Sequence, residues 1–234
     1  MPITLIQNSF GNFLVFDQDY ATKAIKDNKF LDFSLKEQID IYVKKDSICI
    51  DIGANLGFIS VYMAKKCKKV YSIEPQNVVF KQLCGNLFIN ECFNVVPLKI
   101  AGAIKRSNFS IADKNKQEIL VFHKDYNNID NIGGISLEEK IDGDIIGDRI
   151  ENYIDNKDRI DFIKCDAQGG DYDALKGLEN IIVRDKPIIV FEYEKSLSEK
   201  CYGRKWLDYV EFFNHLNYKI LFLEDGNTLA KYQE

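Results

Sequence analysis

Short apolar runs alternate with longer amphipathic ones along most of the chain. Asp46-Ser47-Ile48-Cys49-Ile50 and Tyr71-Ser72-Ile73 read as buried strands, and Phe58 to Ala64 between them reads as a helix. Residues 77 to 89 place Val79, Leu83 and Leu87 on one helical face, with Asn77 expected as N-cap after Pro75. Val95 to Ala103 predicts a third strand, interrupted by Pro97, which cannot donate a ladder hydrogen bond. Asp161 to Cys165 and Pro187 to Glu192 predict the next two, joined by a helix burying Leu175, Leu178 and Ile182. Residues 205 to 216 carry Trp206, Tyr209, Val210 and Phe213 at helical spacing, and that stripe is expected to be core. Tyr218 to Leu223 and Thr228 to Tyr232 flank Glu224-Asp225-Gly226-Asn227 as a hairpin, expected at the antiparallel edge of the sheet. Strands alternating with helices in this way predict a single doubly wound α/β domain with a mostly parallel sheet of seven strands.

Two segments fall outside the alternation. Residues 1 to 45 hold an alternating stretch, Phe10 to Phe16, and a helix-periodic one, Leu35 to Val43, expected as an extension covering the sheet edge or as a cap over the site. Residues 104 to 160 exceed an ordinary crossover and contain polar clusters, Gly133-Gly134 and a strand-like run, Ile119 to His123. Long connections in compact domains commonly bind substrate, so a lid is expected here.

Composition narrows the functional classes. With 234 residues, 46% hydrophobic and 29% charged, the chain can bury a full core, and its net charge of −5 disfavours a nucleic-acid partner. No apolar run has the length of a membrane span and no secretory leader is recognisable, so the cytosol is the expected location. Six cysteines, at 49, 67, 84, 92, 165 and 201, form no CxxC pair, and with two histidines they do not have zinc-ligand spacing. They are read as reduced thiols.

The chemistry concentrates at Asp51-Ile52-Gly53-Ala54-Asn55-Leu56-Gly57, between the first core strand and its helix. Gly53 and Gly57 let the backbone turn and approach a ligand, and Asn55 tolerates left-handed φ/ψ. Glu74, at the end of the neighbouring strand, has the spacing of about 20 residues at which an acid accepts hydrogen bonds from a ribose. Acid-x-Gly-x-x-x-Gly lacks the pyrophosphate glycine of dinucleotide loops, and Asp51 would repel a pyrophosphate yet pair with an ammonium group. S-adenosylmethionine is therefore favoured over NAD, an NAD-dependent oxidoreductase being the alternative. Small residues at the third strand's end, Gly102 and Ala103, leave space for adenine. Asp166 and Glu192 end two further strands at the same sheet edge as a candidate carboxylate pair.

These motifs together, DIGANLG at 51 to 57, SIEP at 72 to 75, FIKCDAQGGDYDALKGL at 162 to 178 and KPIIVFE at 186 to 192, resemble the FkbM family of S-adenosylmethionine-dependent methyltransferases over residues 46 to 223. The resemblance implies a Rossmann-like class I methyltransferase domain over residues 46 to 234. It implies O-methyl transfer to a hydroxyl of a small-molecule acceptor, a sugar, nucleotide-sugar or glycan-linked group. The donor residues are then Asp51, Gly53, Asn55, Gly57, Glu74, Ala103 and Asp166, and the candidate bases Asp166, Glu192 and His123. A divalent cation such as Mg on carboxylate oxygens is an alternative way to lower the hydroxyl pKa. The third motif departs from the family: Asp166-Ala167-Gln168-Gly169-Gly170-Asp171 carries Gln168 where the family has glutamate. This site could bind the donor without turnover, and Gln168 itself cannot serve as a base.

Overall fold

Ile48-Cys49-Ile50-Asp51-Ile52 is buried at every position, as befits a strand with neighbours on both edges and helices on both faces. The computed structural model describes residues 2–17, 19–112 and 133–233. In chain order these form β1 (Ile3–Gln7), β2 (Asn12–Phe16), α1 (Tyr20–Lys26), α2 (Phe33–Tyr42), β3 (Ile48–Ile52), α3 (Phe58–Ala64), β4 (Lys69–Ile73), α4 (Asn77–Ile89) and β5 (Val95–Leu98). There follow β6 (Ala101–Gly102), β7 (Ser107–Ile111), β8 (Leu137–Glu139), β9 (Ile145–Asp148), β10 (Phe162–Cys165), α5 (Asp171–Lys176) and α6 (Glu179–Asp185). The chain closes with β11 (Ile188–Glu192), α7 (Lys195–Tyr202), α8 (Trp206–His215), β12 (Tyr218–Phe222) and β13 (Asn227–Tyr232).

The main sheet has seven strands in the order β12-β13-β11-β10-β3-β4-β5. β11, β10, β3, β4 and β5 are parallel, and the C-terminal hairpin adds β13 and β12 antiparallel to them. Period-2 alternation divides each strand between two cores. Cys49, Val70, Phe162 and Val190 face α3, α4 and the N-terminal segment. Ile50, Ile73, Ile163 and Phe191 face α5, α6 and α8. Pro97 lies in β5, the edge strand, opposite Ser72, where its missing N–H breaks no central ladder.

Three expectations are corrected in detail. The predicted strand Val95 to Ala103 leaves the main sheet after Leu98, and Ala101–Gly102 pairs instead with Gly147–Asp148 in a second sheet of order β6-β9-β7-β8. Residues 104 to 160 thus carry strands of their own; Ile119 to His123 lies outside the described residues. The predicted helix after Asp166 breaks into α5 and α6 at Gly177, where a Cβ would come 2.3 Å from the Ala103 carbonyl oxygen. Leu175, Leu178 and Ile182 are nonetheless all fully buried. At α4 the N-cap is Gln76, with Asn77 the first helical residue.

The N-terminal hairpin does not cover a sheet edge but lies on α4. Asn86 and Asn90, one turn apart, imitate a neighbouring strand: Leu14 N–H donates to Asn86 Oδ1 (2.6 Å) and Asn12 N–H to Asn90 Oδ1 (2.9 Å). The Asn90 amide returns a bond to the Asn12 carbonyl (2.6 Å). Phe13 is fully buried in the same core as Phe58, Met63 and Leu83. Phe13→Ala should therefore cost the whole domain about 3–5 kcal/mol, the usual range for a buried aromatic. Chemical denaturation checks this; a loss near the ~0.5 kcal/mol of a surface substitution would show the hairpin to be energetically separate.

Candidate functional site

Strand register brings the site together. Ile52 pairs with Ile73 and with Cys165, and Cys165 pairs with Phe191. The next residues, Gly53, Glu74, Asp166 and Glu192, therefore stand at one level on the carboxyl edge of the sheet, where open α/β sheets bind ligands. All four line one cleft of about 250 Å³, close to the lower end of the ~300–1,000 Å³ usual for ligand pockets. Asn55, Gln76, Ala101 and Gly102 line it on the β4 side, Tyr20 and Asp32 enter from the N-terminal segment, and Gly133 to Ile135, Leu137 and Tyr202 close the far wall.

Gly53 is required by geometry. Its φ is +69°, and a Cβ there would lie 1.8 Å from the Asp166 carbonyl oxygen, so the β3 and β10 loops touch at this point. Asn55 adopts φ +50°, and its N–H donates to Glu74 Oε2 at 3.0 Å; the Gln76 N–H donates to Oε1 at 2.9 Å. Glu74 is 3% exposed and faces the cleft held by these two bonds. Burial pushes its carboxyl up to about 7, against the two N–H groups.

Three expected donor residues lie elsewhere. Asp51 is fully buried and outside the cleft lining: Ser60 Oγ donates to Oδ2 (2.6 Å), and Oδ1 forms an ion pair with Lys164 Nζ at 3.3 Å without hydrogen-bond geometry. Gly57 opens α3 at φ +93° and packs on Leu83. Ala103 is buried, its N–H bonded to the Asp148 carbonyl, so Ala101 and Gly102 provide the small surface instead. His123 lies outside the described residues.

Lys164, unmarked by any sequence signal except its place inside a strand, organises the centre. Its ammonium donates to the carbonyls of Ile52 (3.0 Å) and Gly53 (2.8 Å) and lies 3.9 Å from Asp166 Oδ2. Burial disfavours its charge, but Asp51, Asp166 and Asp32 outweigh burial and hold its pKa above the usual lysine range. Gln168 Nε2 donates to Asp166 Oδ1 at 2.7 Å, so the amide orients the carboxylate. Asp171 folds the loop by accepting the N–H groups of Ala167 (3.1 Å) and Gly169 (3.2 Å). Burial, with Asp166 nearby, pushes Asp171 up to about 7. Half-buried Glu192 is raised to about 8 by burial first, then by Asp166 and Asp171, with Lys164 opposing. Among the described residues, no group of three or more His, Cys, Asp or Glu side chains is arranged to hold a metal ion.

Chemically, the cleft offers the carboxyl groups of Asp32, Glu74, Asp166 and Glu192. Such a lining fits a ligand that is cationic and carries a ribose: acids accept its positive groups, and Glu74 keeps free lone pairs for hydroxyls.

Two outcomes follow from these contacts. Lys164→Met strands Asp51 in the interior, so stability should fall by about 3–5 kcal/mol, with partial recovery in the Asp51→Asn/Lys164→Met double variant. Equal destabilisation of single and double variants in urea titrations would contradict the pairing. Separately, Glu74, Asp171 and Glu192 hold protons in the folded state at pH values where the unfolded chain has lost them. Stability should accordingly decline as pH rises from about 5 to 8. Glu74→Gln should flatten that slope; a slope unchanged by it would remove Glu74 from the account.

Comparison with known proteins shows the family. The sequence model of the Methyltransferase FkbM domain matches residues 51–220. Methyltransferase sdnD of Sordaria araneosa is 27% identical over 154 residues, which are 56% of this chain and 60% of that protein. Among solved structures, a candidate rRNA-methylase of Clostridium thermocellum superposes with a TM-score of 0.50 at 12% identity, over 88% of this chain and 99% of that one. Methyltransferase FkbM of Methylobacillus flagellatus KT gives 0.49 at 18% identity, over 80% of this chain and 44% of that one. The chain thus spans less than two thirds of the length of sdnD and of the M. flagellatus protein. With the family's domain matched from the glycine loop to the C-terminal hairpin, the chain belongs to the FkbM methyltransferase family.

Proposed function

We propose that this protein transfers the methyl group of S-adenosylmethionine to a hydroxyl of a small molecule, a sugar or glycan-linked acceptor. The observation that carries the reading is the convergence of Asp32, Glu74, Asp166 and Glu192 on one cleft. A pyrophosphate among these acids would be repelled, whereas a sulfonium and an ammonium are stabilised. Glu74 receives the ribose hydroxyls, Gly53 and Asn55 form the floor, and Ala101 with Gly102 leaves room for the adenine.

The donor supplies an already electrophilic methyl group, so the protein must align the acceptor oxygen and take its proton. Asp166 is the base in this reading, held on one oxygen by Gln168 and facing Lys164 with the other. Glu192 stands beside Asp166, and burial, with Asp166 and Asp171 nearby, raises its carboxyl to about 8. Acceptor recognition is assigned to residues 104 to 160, from which Gly133 to Ile135 and Leu137 reach the cleft wall.

Loss of a general base typically lowers rates by about 10² to 10⁴. Asp166→Asn should show that loss of turnover when labelled donor is presented with a panel of glycosides and nucleotide-sugars, while donor binding by calorimetry persists. Turnover equal to that of the parent protein would move the chemistry to Glu192.

A further inference from the structure

Asp32 stands at the N-cap position of α2 with extended backbone, φ −127° and ψ 101°. An aspartate there ordinarily accepts an N–H from the first turn of its own helix. Asp32 makes no such bond. The acceptor comes instead from the turn between β12 and β13, where Asp225 Oδ2 receives the Ser34 N–H at 2.9 Å. With the helix capped from outside, the Asp32 carboxylate is left to line the cleft, within electrostatic reach of Lys164 and Asp166.

Two of the other cleft acids already have hydrogen bonds: Glu74 holds two backbone N–H groups and Asp166 holds the Gln168 amide. Glu192 stands beside Asp166, which raises its pKa together with burial. Asp51, the residue expected to meet an ammonium, is committed to Lys164 and Ser60 beneath the loop. Among the described residues, no protein group donates a hydrogen bond to the Asp32 carboxylate. Burial raises its pKa, Asp166 and Asp225 add to the rise and Lys164 opposes it, so a cation beside it would relieve charge crowding.

We propose that Asp32 receives the α-ammonium of the bound donor, the role first expected of Asp51. This rests on the donor being S-adenosylmethionine. The N-terminal segment is then part of the donor site, and Asp225 acts as a positioning residue by capping α2 in place of Asp32.

Calorimetry with two stable probes tests the assignment: S-adenosylhomocysteine, which carries the ammonium, and methylthioadenosine, which lacks the whole amino-acid portion. Asp32→Asn should weaken S-adenosylhomocysteine by about 10- to 100-fold, the effect of losing one charge-assisted hydrogen bond, and leave methylthioadenosine unchanged. Unchanged affinity for S-adenosylhomocysteine, or an equal loss for both probes, would overturn the role of Asp32 while leaving the donor reading intact. A parent protein that binds neither probe would overturn the donor reading, and the Asp32 assignment with it.

Discussion

Lys164 is buried in the middle of the sheet with four oxygens around its ammonium: two backbone carbonyls of the glycine loop, Asp51 and Asp166. Desolvating an ammonium is expensive, and a buried ion pair repays that cost only when further hydrogen bonds complete it. Here the loop carbonyls complete it. The same ammonium therefore fixes the backbone at Ile52 and Gly53, neutralises the acid that begins the loop, and draws Asp166 toward Gly53. Gly53 makes the arrangement possible, since any side chain there would collide with the Asp166 carbonyl.

Around this centre the protein accumulates negative groups that one lysine cannot balance. Glu74, Asp171 and Glu192 all have raised pKa values, with burial as the leading cause in each. Burying these carboxyl groups costs stability at the pH where they would otherwise ionise, and strongly shifted acids in a cleft mark a candidate ligand site. Asp171 is the exception. It serves the loop that carries Asp166 and Gln168, and its carboxylate is occupied by two backbone N–H groups.

The parallel core was legible in the sequence because strand and helix periods are local properties: β3, α3 and α4 lie where their apolar spacing puts them. Gly53, Asn55, Glu74, Asp166 and Glu192 were legible for a related reason, since each ends a strand or opens the loop after one. What failed to show was fixed by distant partners. Asp51 looks like a ligand-facing acid until Lys164, on the adjacent strand, turns it into a buried ion pair. Asp32 carried no signal in the sequence, because its place in the cleft depends on Asp225, from the far end of the chain, accepting the Ser34 N–H. The break of the predicted helix at Gly177, beside the Ala103 carbonyl, and the pairings of the second sheet are announced by no periodicity.

The central question is which nucleoside ligand the acid-lined cleft accepts. Titrating the unmodified protein with S-adenosylmethionine and, separately, with NAD measures this directly, since both carry an adenosine while only one carries a pyrophosphate. Saturable binding of S-adenosylmethionine at one site, with no detectable heat from NAD, is the predicted result. Binding of NAD with none of S-adenosylmethionine would contradict it.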